Sequence, residues 1–177
     1  MRLTLDAWYF SEGNRAEEPV AVRSTQELFD LTMFLTMHPQ PHPTVISARE
    51  LPTVGPLDDP DRMFKLDVAD AVGALAYLGP KPGFDVVFAT EDGVGMVVEL
   101  KSGSLKGEPA PWDPGMWTTL AEEPVADVPP LFIDRANRTP FPSDAALPLG
   151  RIREALAEFA ETGQRPRCVQ WQQSAVF

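Results

Sequence analysis

Proline sets the strongest limit on what this chain can fold into. Nineteen of its 177 residues are proline. Each one removes a backbone donor and pushes the residue before it away from helical geometry. Ordered loops are expected between short elements. Two stretches combine freedom from proline with helical spacing. In the first, Ser24 and Glu27 have the spacing of a capping box, and Leu28, Leu31 and Leu35 form one stripe with Phe29 and Phe34 beside it. This predicts a helix over 25–37, ended by the prolines of "HPQPHP" at 38–43. In the second, Leu149, Ile152, Leu156 and Phe159 recur at three- and four-residue intervals. Pro148 fits the start of that helix and Gly163 its left-handed cap, which predicts a helix over 149–161.

Most of the rest reads as strand. Leu3, Leu5, Ala7 and Tyr9 alternate with Thr4, Asp6 and Trp8, and "PVAVRS" follows a turn, which predicts a hairpin. "TVISARE" at 44–50 reads as another strand. Four further runs, 63–68, 72–78, 84–89 and 95–101, are joined by short turns and predict an antiparallel meander. "LFIDRA" at 131–136 and "RCVQWQ" at 167–172 complete the set. Residues 102–130 are rich in proline and acids and read as one long loop, the kind that usually carries function. The expected architecture is a single α+β domain over 1–177: a mostly antiparallel sheet with its two main helices packed on one side.

The formal net charge is −11, unevenly spread. Residues 85–134 hold ten acids and two bases, whereas 135–177 hold four acids and six bases. Such a field repels nucleic acid and draws basic partners in, although acidity also serves solubility. A single cysteine excludes an internal disulfide and suits a reducing compartment. No stretch has the length and apolarity of a signal peptide or a membrane span. A cytoplasmic protein that binds neither membrane nor nucleic acid directly is expected.

Few constellations suggest chemistry. His38 and His42, the only histidines, are four apart, but the prolines between them forbid the helix that would align them as zinc ligands. No metal or cofactor is expected. "DDPD" at 58–61 lacks the pattern of a calcium loop. Glu99 and Lys101, with Asp85 fourteen residues upstream of Glu99, resemble the core motif of PD-(D/E)xK nucleases. There the acids would hold Mg²⁺ and the lysine would assist the attacking water. The overall acidity opposes such an enzyme, and a solvated charge pair explains the same residues. Cys168, in an alternating strand, reads as a small buried hydrophobe. Trp112 and Trp117, in the acidic loop, are either partner anchors or pins that hold the loop to the sheet.

The C-terminal stretch 138–172 carries a more specific pattern. Phe141-Pro142, Leu147-Pro148-Leu149, Ala155-Leu156, Glu158-Phe159, Thr162-Gly163, Arg165-Pro166, Val169 and Trp171-Gln172 occur in order. Together they resemble the immunity-protein family catalogued as number one in bacterial polymorphic toxin systems. "VGALAYLG" at 72–79 is similar to that family's middle strand. "FDVVFA" and the length of 102–130 depart from its pattern. The resemblance implies a non-enzyme that binds and neutralises a cognate toxin, and toxins paired with the family include nucleic-acid-directed ones, notably deaminases. A non-catalytic adaptor is the other binding class.

A nucleic-acid-directed toxin needs a positive surface, so acidic residues are the expected contacts. Charge distribution places them at Glu91, Asp92, Glu122, Glu123 and Asp127, with Trp112 and Trp117 as anchors. Asp58, Asp59 and Asp61 form a second candidate patch.

Overall fold

The local signals for both helices act as the sequence predicts. In the computed structural model, which describes residues 1–81 and 114–177 and the backbone of 84–89 and 95–99, helix α1 spans Thr25–Met37. The Ser24 hydroxyl accepts the Glu27 N–H at 3.1 Å. The Glu27 carboxylate accepts from the Arg23 N–H, one residue earlier than a standard capping box. Leu28, Leu31 and Leu35 are buried, while Phe29, Met33 and Met37 stay exposed. Helix α2 spans Leu149–Thr162 and ends at Gly163, whose φ of 65° suits a residue without Cβ. It buries Leu149, Ile152, Ala155, Leu156, Phe159 and Ala160.

Eight strands make the main sheet. In chain order they are β1 (Leu5–Trp8), β2 (Val20–Val22), β3 (Thr44–Ala48), β4 (Met63–Ala69), β5 (Val72–Gly79), β6 (Gly115–Leu120), β7 (Leu147–Pro148) and β8 (Gln170–Gln173). Their spatial order is β8-β6-β5-β4-β3-β1-β2, with β7 paired to the first residues of β5. Every pairing is antiparallel. Alternation along the strands sends Leu5, Ala7, Ile46, Phe64, Leu66, Leu75 and Tyr77 to one face, where both helices cover them in a continuous core. The architecture is α+β, with the two helices on one side of the sheet.

The other face has a cover of its own. Ala74 and Ala76 alternate with Leu75 and Tyr77, and pack against Leu131, Ile133, Phe141, Ala145 and Ala146. Four of these seven side chains are alanine, so the segment from 131 to 146 lies close to the strands. The buried carboxylate of Asp67 fixes it there, accepting from the Phe132 N–H at 2.7 Å and from Arg135 at 2.8 Å.

The meander does not run as the sequence reading expects. Residues 63–69 and 72–79 do pair, but Phe84–Ala89 and Gly95–Glu99 form a separate two-stranded ladder. The neighbour of β5 is β6, at 115–120, inside the stretch read as a loop. Its ladder partners lie far away in sequence on both sides, on β5 and β8. Long-range pairing of this kind overrides the local signal of the surrounding prolines.

Candidate partner-binding surface

The segment that leaves β6 carries three of the predicted contacts together. Ala121 is buried and donates its N–H to the Asp144 carbonyl at 2.7 Å, so the chain is anchored before it turns outward. Glu122, Glu123 and Asp127 are exposed, and Glu122 accepts from the Gln170 side chain at 2.8 Å. Asp127 holds a left-handed backbone with φ of 55°, which aspartate tolerates better than most residues. Between them Val125 is more than a third exposed.

Val125 lies between two grooves and lines both. One, of about 360 Å³, runs between Glu122–Glu123 and the start of α2, with Cys168 and Gln170 along it. The other, of about 340 Å³, is walled by Pro129, Pro130, Pro140 and Pro142, with Asp127 at its rim. The result is an exposed acidic ridge with Pro124, Val125 and Ala126 between its carboxylates and a depression on either side. Arg151 is the cation of the first groove, and its guanidinium is engaged by Glu154 and the Cys168 carbonyl. Exposed carboxylates here stand beside concave walls that are partly apolar, so charge and buriable contact area lie side by side.

The other predicted residues divide. Trp117 does not stand in a loop: it sits in β6, half-buried against the core, with Tyr77 at 5.9 Å on one side and the Arg165 guanidinium at 4.1 Å. Its packing pins the sheet, which is the second of the two roles expected for it. Asp61 is wholly buried in a two-pronged pair with Arg62, at 2.9 and 2.7 Å, and Arg62 also donates to the Gly163 carbonyl. A carboxylate in that position holds the end of α2 to the sheet and offers nothing to a partner. Asp58 and Asp59 are exposed as expected. Glu91, Asp92 and Trp112 lie outside the described residues.

The residues tested for other chemistry also have places. His38 caps α1 with its ring stacked on Phe34 at 4.1 Å, and His42 lies against Phe10. Among the described residues no three His, Cys, Asp or Glu gather as metal ligands. In the ladder of 84–89 with 95–99, Glu99 stands opposite Phe84 and Asp85 opposite Val98; Lys101 lies outside the described residues. Cys168 packs against the main core, and burial, followed by its contact with Glu158, pushes its thiol up to about 11. No helix among the described residues is long and apolar enough to cross a membrane.

Sequence reasoning missed Val125, whose position between the grooves depends on where β6 ends. It also missed a groove on the other half of the sheet, floored by Trp8, Val45 and Met63. An aromatic residue at a polar position of the first alternating strand was the available signal.

The chain belongs to the Imm1 family of immunity proteins, whose family model matches residues 16–173. No curated protein matches the sequence. Membership of an immunity family implies a toxin as the partner.

Proposed function

We propose that this chain binds and neutralises a cognate bacterial toxin that acts on nucleic acid, such as a deaminase or nuclease, and that it does so by occlusion in the cytoplasm and not by catalysis. The observation that carries the reading is the exposed ridge Glu122–Asp127 between its two grooves, in a member of an immunity family. A toxin that handles nucleic acid presents lysine and arginine where the phosphates lie. Carboxylates on a raised ridge compete for that surface, and the chain's net charge of −11 speeds the encounter. Glu91, Asp92 and Trp112, from the same acidic stretch, belong to the proposed contact.

The test is protection and affinity together. Co-expression with the toxin domain encoded beside this gene should rescue growth, and the purified pair should bind with an affinity that falls as salt rises. Reversing the charge at Glu122 and Glu123, with Asp127→Asn to keep its left-handed backbone, should weaken binding by about 10- to 100-fold and flatten the salt dependence, with little change in melting temperature. Equal affinity and an equal salt slope would move the contact away from the ridge.

A further inference from the structure

Among the described residues, 131–146 covers the face of the sheet away from the helices over Ala74 and Ala76 and not over its whole width. Over β1, β3 and β4 it holds a groove of about 450 Å³. The register explains its floor. Trp8 stands directly opposite Val45, whose partner on β4 is Lys65, with its ammonium 4.8 Å from the Phe177 ring centroid; Met63, two residues before Lys65 on the same face, lines the groove with Trp8 and Val45. One wall is the turn that carries Phe10 and Ala16, and the other is Asp59-Pro60, with His42 between them.

The rim is acidic. Asp59 lines the groove, and Glu12, Glu17, Glu18 and Asp58, all exposed, are close sequence neighbours of its lining residues; the bases nearby are Arg15, exposed, and Lys65, half-buried opposite Val45. The second wall is a tight turn in which Gly55 and Asp58 both have positive φ. It holds Leu57 out in solvent at 81% exposure. An apolar floor with His42 and Asp59 in its lining, a projecting leucine and an excess of neighbouring carboxylates are complementary to an apolar side chain with cations beside it. They are not complementary to nucleic acid or to a second copy of this acidic chain, which the same carboxylates repel.

We propose that this groove is a second docking site for the toxin, taking an extended segment in which one aromatic or long aliphatic side chain is flanked by lysine or arginine. This rests on the immunity reading and adds to it a surface on a different part of the sheet from the Glu122–Asp127 ridge. The apolar side chain sits on Trp8 and Met63, and the flanking cations reach Asp59 on one wall and Glu17 on the other.

A peptide experiment tests the groove without the toxin. A short synthetic peptide with phenylalanine between lysines and arginines is titrated into the full chain, beside a counterpart with glutamates in their place. The basic peptide should move the Trp8 indole and His42 ring signals in NMR spectra, and the glutamate peptide should move neither. Asp58→Asn with Asp59→Asn keeps the turn, since asparagine accepts positive φ, and should weaken the basic peptide about tenfold. Equal binding of both peptides, shifts confined to the Glu122–Asp127 ridge, or no shift at Trp8 would overturn the groove and leave the immunity reading standing. In a second arm the same double variant is tested against the toxin. Wild-type chain that binds the basic peptide but gives no protection overturns the toxin as occupant together with the immunity reading. Protection by wild type and undiminished toxin affinity in the variant overturns the groove alone.

Discussion

Tyr77 and Trp117 stand directly opposite each other on β5 and β6, with ring centroids 5.9 Å apart, and each ring lies back over a glycine of its own strand. Those glycines, Gly79 and Gly115, are themselves paired across the ladder. A Cβ on Gly115 would stand 1.9 Å from the Trp117 ring, and one on Gly79 would stand 2.3 Å from the Tyr77 hydroxyl. Burial pushes that hydroxyl up to about 12, so it stays neutral. Gly115→Ala should therefore destabilise the protein by about 1–3 kcal/mol through displacement of Trp117. Trp117→Ala should cost about 2–4 kcal/mol, less than a fully buried tryptophan, because its ring is half-buried. Urea unfolding checks both. A Trp117→Ala variant of wild-type stability that had lost only partner binding would restore the anchor role.

This pair also marks how much was legible in the sequence. The capping residues Ser24 and Gly163, and the stripes Leu28–Leu35 and Leu149–Phe159, act within a turn or two of their own positions, so both helices could be read locally. The strand 115–120 could not, because its partners on β5 and β8 are set by long-range pairing and its flanks are proline-rich. The same limit hid Asp61. Its place inside depends on Arg62 reaching the carbonyl of Gly163, 101 residues further along the chain. Glu122, Glu123 and Asp127 were readable as a charged run, but the two grooves beside them appear only once β7, α2 and 140–146 have been brought in.

Asp67 should be costly to remove. It is buried, and it holds Arg135, the Phe132 N–H and the Val68 N–H at once. Asp67→Ala would leave the buried part of the Arg135 guanidinium without its carboxylate and free the segment that covers Ala74 and Ala76. A loss of about 3–5 kcal/mol is expected. Hydrogen exchange separates this from general loosening: protection at Ile133 and Phe141 should fall more than at Leu28 or Leu31 in α1.

Cys168 should be inert at neutral pH. Burial raises its thiol to about 11, and Glu158 adds to the effect. At pH 8 only about one such thiol in a thousand would be ionised, against roughly a quarter of an ordinary free cysteine. Alkylation by iodoacetamide should run more than tenfold slower than for a model thiol, and its rate should keep rising beyond pH 9. A rate that levelled off near pH 8 would show that the thiol is not held in its neutral form.

Glu158 ties α2 to the approach of β8, because its two oxygens accept the backbone N–H groups of Arg167 and Cys168, each at 2.9 Å. Burial by itself would raise this carboxyl, but the two N–H groups outweigh it and hold it below the usual glutamate range. A carboxyl whose folded pKa is depressed stabilises fully above the unfolded value, about 4.3, and that stability is lost as pH falls through the folded value. Glu158→Gln keeps one acceptor and the shape, so at pH 7 it should cost about 1 kcal/mol, discounted for a group that water partly screens. The cost should shrink as pH falls through the folded value, because the wild-type carboxyl then takes up a proton and loses its advantage over the amide. Urea midpoints of the two proteins across pH 3–7 measure the convergence; a gap that stayed constant with pH would mean that the charge on Glu158 does not hold the final strand in place.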